Sequence, residues 1–375
     1  MTGEGRRVAR RAVEALAAVA TAVVLLTLGL PRIANATWTE IGTVLGSVPL
    51  PWFVLLAAVW LAGLWVHTIV LVAALPGLSH RRAFFLNISG SSVSNVVPLG
   101  GALGTAVNWW SCRRWGFTTT AFVRWALVTN IWDVLGRLVV PAVALGWFGL
   151  EGRGEGDLLL SAGLGSVAAL LAAAALTAFL LRTDVGARRL GAAADRLQVR
   201  LHRTAGGQEA RAVEMRGAII ELVRHAWPRL TAGKLLYAAA QAALLWLCLA
   251  AVGTPPAASV VFAAFAVERV LSLAVVTPGA TGFVELGMTA YLVRMGANPA
   301  SAAAGVLLYR FFVIGMEVPV GGTLLLGWTA RQMLHSGVRG ASATEALGGA
   351  ARSEAPPDVP SSGMPISTEP EARVR

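Results

Sequence analysis

Cysteine and histidine are scarce in this chain, and the common motifs of soluble enzymes are missing. Its 375 residues include two cysteines and five histidines. Cys112 and Cys248 lie far apart without a C-x-x-C pair, and the histidines form no cluster. The sequence therefore predicts neither a disulfide framework nor a metal site. H-E-x-x-H, a phosphate-binding G-x-x-x-x-G-K-[ST] loop and a convincing G-x-S-x-G are also lacking. These absences argue against an ATP-driven pump and favour a protein with no cofactor and no enzymatic activity.

Charged residues are scarce as well. They make up 14% of the chain, whereas hydrophobic residues make up 56%, and the mean hydropathy is +0.65. Several apolar runs approach the about 20 residues that cross a bilayer as a helix, which indicates a polytopic membrane protein. The net charge of +11 comes almost wholly from arginine, because Lys234 is the only lysine. Arginines between apolar runs are typical of cytoplasmic loops, so no nucleic-acid partner is predicted.

The apolar runs predict an all-α, polytopic membrane helical bundle. Helices are expected near residues 12–30, 52–75, 119–149, 158–181, 230–252 and 299–329, with broken hairpins near 83–115 and 257–294. The first run spans about 19 residues, longer than the about 7–15 of a signal peptide, so this helix is expected to be retained.

Arginine placement orients the helices. These arginines all fall on one side of the series: Arg6, Arg7, Arg10, Arg11, Arg81, Arg82, Arg113, Arg114, the ten from Arg182 to Arg229, Arg331 and Arg339. That side is predicted to be the cytoplasm, which places both termini on the inner face of the plasma membrane.

Proline and glycine break the two hairpins in the same way. The breaks are Asn95-Val-Val-Pro-Leu-Gly-Gly-Ala-Leu-Gly-Thr105 and Thr277-Pro-Gly-Ala-Thr-Gly-Phe-Val-Glu285. Non-helical backbone survives in hydrocarbon only where protein or a wet cavity satisfies its polar groups. Two helices, a hairpin and a helix thus occur twice, as an inverted repeat with halves near 12–149 and 158–329. The hairpins are either re-entrant or fully crossing, and their tips are expected to meet near the midplane.

The membrane domain is predicted to cover residues 1–330. Within it, the basic segment 182–229 is expected to be cytoplasmic helix, either lying on anionic lipid or linking the two halves in solvent. Residues 331–375 are rich in Ser, Pro, Glu and Ala without periodicity, which predicts a disordered cytoplasmic tail.

The hairpin tips are the first candidate binding residues. Pro98 and Pro278 end one half-helix each. The glycines that follow permit turns and close approach, and the next half-helix begins with free N–H groups that suit an anion. These glycines are Gly100, Gly101, Gly104, Gly279 and Gly282. The alternative is that they are helix-packing glycines, and Asn95 either binds a head group or caps the break.

Charged residues inside the spans are the second set of candidates, because charge is costly there. They are Asp133, Arg137, Glu268, Arg269, Glu285, Arg310 and Glu317. Asp133 and Arg137 stand one turn apart and can neutralise each other. Glu268 and Arg269 are adjacent and are expected to face different directions. The preferred interpretation is a cavity between the halves in which the arginines at 269 and 310 contact phosphate and the glutamates at 268 and 285 contact an amine or counter-charge. The alternative is internal salt bridges only.

The pattern resembles the flippase-like family that forms the membrane region of lysylphosphatidylglycerol synthases. The resemblance rests on Asn95-x-x-Pro-x-Gly-Gly-x-x-Gly104, Arg113-Arg-x-Gly116, Thr277-Pro-Gly-x-x-Gly-x-x-Glu285 and Leu308-Tyr-Arg310, and it covers roughly residues 10–330. It implies a helical bundle that moves a lipid, often an aminoacylated phospholipid, between leaflets. The sequence departs from the family pattern in two ways. Thr105 stands where relatives usually have an acidic residue, and Asp133 and Arg137 are separated where relatives usually have an acid directly beside an arginine.

Three functions stay open at this point. The first is a flippase that moves a phospholipid or lipid-phosphate by alternating access without bound nucleotide. The second is a membrane-embedded transferase or accessory subunit acting on a lipid-linked donor. The third is a non-transporting scaffold whose basic segment binds a cytoplasmic or membrane partner protein. Membrane lipids are the expected partners, and the sequence leaves the oligomeric state open.

Overall fold

The computed structural model describes residues 3–96, 100–150, 164–165, 167–172, 175, 208–253, 256–273 and 277–333. Nearly all of these residues are helical, and no strand occurs within these ranges. Five of the described helices are long and apolar enough to cross a membrane: Val13–Ala34, Leu50–Ala74, Thr119–Ala144, Ala210–Ala251 and Pro299–Met333. The predicted all-α, polytopic membrane bundle is therefore confirmed.

The helices have the following bounds. They are α1 Gly3–Val24, a π-helical turn Leu25–Gly29, α2 Leu30–Ala34, α3 Trp38–Gly46, α4 Leu50–Ala74, α5 His80–Val96, α6 Gly101–Arg114, α7 Thr119–Leu150, α8 Gln208–Ala251, α9 Ala258–Leu271, a 3₁₀ turn Pro278–Ala280, α10 Phe283–Arg294, α11 Pro299–Arg310, a π-helical turn Phe311–Gly315 and α12, residues 317–333. Residues 164–165, 167–172 and 175 are also helical. The remainder of the predicted helix near 158–181, most of the basic segment and the predicted tail lie outside the described residues.

The structure differs from the sequence-based expectation at two places. Thr37 and Glu40 form a capping box that begins α3, a short helix that the sequence analysis did not anticipate. The hydrogen bonds from the Thr37 N–H and hydroxyl hold the pKa of the exposed Glu40 carboxyl below its ordinary value. Helix α8 runs unbroken for 44 residues, so the predicted boundary near residue 230 is wrong. Pro228 lies inside α8, although proline removes a helix hydrogen bond, and its neighbours Ala226 and Leu230 pack in the second core with residues of α4.

The two broken hairpins are formed by short helices. Helices α5 and α6 have 17 and 14 residues, and α9 and α10 have 14 and 12. Each is shorter than the about 20 residues that cross hydrocarbon. The two arms of each hairpin pack against each other. The sequence thus placed both breaks correctly, and the inverted symmetry of the two halves stays a prediction.

Two apolar cores hold the bundle together at different heights. The first core includes buried residues of α4 at 56–64, of α7 at 140–144 and of α8 at 244–249, together with α9, α10 and α11. The second includes buried residues of α4 at 70–75, of α7 at 122–128 and of α8 at 219–230. On all three long helices, polar residues lie between the two sets of core residues: His67 and Thr68 on α4, Asp133 and Arg137 on α7, and Lys234 and Gln241 on α8.

Contacts divide the chain into two units, Met1–Leu325 and Leu326–Arg375. Of the second unit, residues 326–333 are described, and they are helical. Both cores and both hairpins belong to the first unit.

Candidate functional site

A polar cavity of about 290 Å³ lies within the first unit, at the height that separates the two apolar cores. Helices of both halves of the chain line it. The lining residues are His67, Asn87, Ser91, Asn95, Asp133, Arg137, Lys234, Tyr237, Gln241, Glu268, Arg269, Ser272, Thr277, Gly279, Ala280, Arg310, Val313, Ile314 and Glu317. Six of the seven charged residues that the sequence analysis singled out inside the spans therefore line one cavity; Glu285 is the exception.

The end of α5 and the break of the second hairpin meet at this cavity. Helix α5 contacts the 3₁₀ turn Pro278–Ala280 of the second hairpin. A Cβ atom built on Gly279 would lie 3.7 Å from Asn95 Oδ1. Asn95 Nδ2 also donates a hydrogen bond to Glu317 Oε2 at 3.2 Å, which links the first hairpin to the last helix. Asn95 thus connects the first break to the second hairpin and to the last helix.

Arg310, the last residue of α11, holds the second hairpin in place. Its Nε donates to Glu285 Oε1 at 2.7 Å, and its Nη2 donates to the Gly279 carbonyl oxygen at 2.6 Å. Its Nη1 lies 3.9 Å from Glu268 Oε1 on the other arm. One guanidinium therefore reaches α9, the break and α10.

The second tip uses glycine for its backbone conformation. Gly279 has φ +59° and Gly282 has φ +92°, both in the left-handed region that favours glycine. The Gly282 N–H donates to Glu285 Oε2 at 2.6 Å, so a protein carboxylate already occupies this donor at the start of α10. Glu285 itself is buried beside the cavity wall, between this N–H and Arg310, and does not line the cavity. An anion at the second tip would have to displace Glu285, which weakens the prediction of a free N–H site there.

One glycine of the first tip serves helix packing. Gly100 is the N-cap residue of α6, and Gly101 is the exposed first residue of that helix. A Cβ on Gly104 would lie 2.5 Å from the Gly90 carbonyl oxygen, so Gly104 allows α5 and α6 to approach closely. None of these three glycines lines the cavity. Pro98 lies outside the described residues, and Pro278 begins the 3₁₀ turn of the second tip.

Asp133 does not pair with Arg137, contrary to one expectation from their spacing. Its carboxylate binds the ammonium of Lys234 on α8, 101 residues away. The side chain of Lys234 is 13% exposed, and its Nζ lies 5.4 Å from the Tyr237 ring centroid, within cation–π range. Arg137 instead donates from Nη1 to the Ser272 carbonyl oxygen at 3.2 Å. The Asp133 carboxylate, which the sequence spacing predicted to pair with Arg137, therefore pairs with the Lys234 ammonium of the facing helix.

Glu268 and Arg269 pair with each other, so the expectation that they face different directions is wrong. They lie in the last turn of α9, where the long arginine side chain can fold back to the preceding residue. Arg269 Nη1 also donates to Gln241 Oε1 at 3.2 Å, and Gln241 Nε2 donates to the Tyr237 hydroxyl oxygen at 3.1 Å. Arg269 is therefore bonded within the cavity wall, as is Arg310.

Two charged groups of the cavity have no ionic partner among the described residues. Arg137 contacts a carbonyl oxygen, and Glu317 accepts hydrogen bonds from the neutral side chains of Asn95 and Ser91. No carboxylate lies within 4.0 Å of the former, and no basic nitrogen lies within 4.0 Å of the latter, in the described part of the chain. These two groups are the ones available to a ligand.

Eight polar residues of the cavity were not among the predicted site residues: His67, Asn87, Ser91, Lys234, Tyr237, Gln241, Ser272 and Thr277. On α8, Lys234, Tyr237 and Gln241 have only glycine or apolar residues as sequence neighbours. The rings of His67 and Tyr237 pack with centroids 4.4 Å apart and planes tilted by 41°, and His67 Nδ1 is buried with no hydrogen-bond partner among the described residues. The signal that could have found Lys234 is its position as a lone lysine within an apolar run, since the cost of charge there makes it a site candidate.

A larger hollow of about 950 Å³ lies beside the second core. Its walls are mainly apolar side chains of α4 and α8, with His80, Arg124, Glu221, His225 and Arg229 among them. None of the predicted site residues lines it. Because the smaller cavity is lined by the buried charges and by residues of both hairpins, it is the better candidate site despite its size.

A comparison with known protein families gives a match over most of the chain. The family model described as the lysylphosphatidylglycerol synthase TM region matches residues 15–321, which include every residue of the cavity. No curated protein matches the chain significantly.

Proposed function

The chain belongs to the family of the lysylphosphatidylglycerol synthase TM region, and from this premise we propose that it moves a phospholipid between the leaflets of the plasma membrane. Membership makes it a multi-pass membrane protein associated with lipids. The observation that carries the finer proposal is the polar cavity at mid-height, which both broken hairpins line. Such broken segments in corresponding positions are the usual location of the binding site in repeat-built transporters.

The cavity suits a lipid head group. Ligand pockets usually measure about 300–1,000 Å³, so about 290 Å³ accommodates a head group while the acyl chains stay in the bilayer. We assign the phosphate contact to Arg137, because the guanidinium groups of Arg269 and Arg310 are already bonded to carboxylates. A guanidinium without an ionic partner gains most from a phosphate in a medium of low dielectric constant.

Movement of the two hairpins provides the transport step in this proposal. The cavity opens alternately to each side as the halves rock about it, without bound nucleotide. In this proposal the arginine-rich loops and helix ends face the cytoplasm, so both termini of the chain lie on the cytoplasmic side. The cavity carboxylates at 133 and 268 are held in ion pairs, which supports transport without chemical change of the lipid.

An exchange assay with one variant tests the proposal. The protein is reconstituted in liposomes that contain phosphatidylglycerol with a fluorescent acyl chain, and outer-leaflet fluorescence is quenched chemically. Arg137→Gln removes a charge-assisted contact of about 1.5–3 kcal/mol, which corresponds to a loss of roughly tenfold to hundredfold in exchange rate. Arg124→Gln, on the same helix but outside the cavity, is expected to exchange lipid as fast as the natural protein.

Two outcomes contradict the proposal. One is an exchange rate for the natural protein that equals the rate of empty liposomes. The other is an Arg137→Gln variant that exchanges phosphatidylglycerol as fast as Arg124→Gln does. Because Arg137 makes a single hydrogen bond to Ser272, the variant is expected to fold, and its elution from size-exclusion chromatography checks this.

A further inference from the structure

The charges around the cavity pair off unevenly. Lys234 binds Asp133, Arg269 binds Glu268, and Arg310 binds Glu285. Arg137 and Glu317 remain, and neither has an ionic partner among the described residues. When every group is ionised, the cavity is neutral as a whole, although two of its charges are separated.

No basic nitrogen of the described residues lies within 4.0 Å of the Glu317 carboxylate, and Arg310 attracts it only from a greater distance. Helix α5 presents only neutral groups to it, and the Asn95 amide is 3.2 Å away. The titratable and charged groups that face the same cavity from other elements are His67 of α4, Asp133 and Arg137 of α7, Lys234 and Tyr237 of α8, Glu268 and Arg269 of α9, and Arg310 of α11. Arg310, the nearest charged residue before Glu317 in the sequence, donates its hydrogen bonds to Glu285 and to the Gly279 carbonyl oxygen. A buried carboxylate in this position is costly unless a proton or a ligand cation neutralises it.

The helix around Glu317 is irregular. The π-helical turn Phe311–Gly315 separates Arg310 from Glu317 and places both side chains on the cavity. Such turns occur frequently at functional sites, because the extra residue re-aims the side chains beyond it. Glu317 is therefore held in the cavity by a feature of the backbone as well as by Asn95.

A bound phosphate changes the charge of this cavity. A phosphodiester at Arg137 adds one negative charge, so an ionised Glu317 would leave the loaded cavity with a net negative charge in hydrocarbon. Addition of one proton to the Glu317 carboxylate restores neutrality. We infer that Glu317 is a proton-binding site, and that one proton crosses the membrane with each anionic phospholipid in the same direction.

This inference rests on the proposed function for its transport step, but proton binding is measurable without transport. The probe is purified protein in detergent, with and without phosphatidylglycerol, followed by infrared difference spectroscopy. We expect the lipid to produce an absorption band of a protonated carboxyl in the natural protein. The band should be absent in Glu317→Gln and retained in Glu214→Gln, a matched change at an exposed glutamate of α8.

The coupling is tested in liposomes that carry a pH gradient and fluorescent phosphatidylglycerol. Because one pH unit is equivalent to about 1.4 kcal/mol, coupling of one proton per lipid predicts about a tenfold difference between leaflets for each unit. The tracer should accumulate in the leaflet on the alkaline side. Glu317→Gln, which keeps a hydrogen-bonding side chain beside Asn95, should exchange lipid without any response to the gradient, and Glu214→Gln should respond as the natural protein does.

The outcomes separate the two proposals. If the natural protein exchanges lipid but its leaflet distribution ignores the gradient, or if Glu317→Gln still follows the gradient, proton coupling is wrong and lipid exchange stands. If no lipid moves but the carboxyl band appears and depends on Glu317, the proton site stands and the proposed function is wrong. If the natural protein lacks the band, or if Glu317→Gln keeps it, the assignment of the proton to Glu317 is overturned.

Discussion

Replacement of Arg310 by methionine should destabilise the protein strongly, because this side chain connects three parts of the second hairpin. It is 7% exposed, and its two close hydrogen bonds measure 2.7 Å to Glu285 and 2.6 Å to the Gly279 carbonyl oxygen. Hydrogen bonds to charged groups contribute about 1.5–3 kcal/mol each. Removal of one partner of a buried ion pair costs about 3–5 kcal/mol, so we expect Arg310→Met to lower the free energy of unfolding by that amount.

The measurement is unfolding by sodium dodecyl sulfate in mixed micelles, followed through the fluorescence of the 13 tryptophans. Arg294→Met is the matched control, since Arg294 is an exposed arginine at the end of α10. A double-mutant cycle with Glu285→Gln should give a coupling energy of about 1.5–3 kcal/mol. An Arg310→Met variant as stable as Arg294→Met, or a coupling energy near zero, would refute this account of the hairpin.

Two further predictions concern packing and charge. Gly282→Ala and Gly296→Ala both strain a backbone of positive φ, but only at Gly282 would the new Cβ lie 2.7 Å from Leu25 Cβ, while Gly296 has open space. Gly282→Ala should therefore lower the free energy of unfolding by about 1–3 kcal/mol more than Gly296→Ala does. Equal losses of unfolding free energy in the two variants would contradict the packing argument. Asp133→Asn leaves the Lys234 ammonium buried without a carboxylate, so we expect a loss of about 3–5 kcal/mol in the same unfolding assay, largely restored by the added change Lys234→Met. A double variant no more stable than Asp133→Asn alone would contradict that pairing.

The architecture was predictable because a membrane leaves few choices. Long apolar runs must be helical, and proline with glycine must interrupt a helix, so the sequence indicated the spans and both breaks. That α8 continues through Pro228 was not predictable from the residues around this proline. Around Pro228, α8 packs against residues of α4, which lie far away in the sequence.

The charged residues of the site were predictable as a set but not as pairs. Their position inside apolar runs identified Asp133, Arg137, Glu268 and Glu317 as members of one cavity. Sequence spacing then favoured Asp133 with Arg137, because residues one turn apart share a helix face. The structure brings the ammonium of Lys234 to Asp133 from the facing helix, and no local pattern carries that information.

Pairing, more than position, decides which of these charges is available to a ligand. A charge that already has a partner gains little from a second one, whereas a charge without a partner in a medium of low dielectric constant gains the full interaction. Arg310 has the most bonds around the cavity and is for that reason a poor candidate for the phosphate. Arg137 and Glu317 have the fewest ionic contacts, so a transported anion and its proton would find their strongest interactions there. The same reasoning predicts that variants of the paired charges lose stability first. With the fold kept, variants of Arg137 should lose lipid exchange, and variants of Glu317 should lose the response of that exchange to a pH gradient.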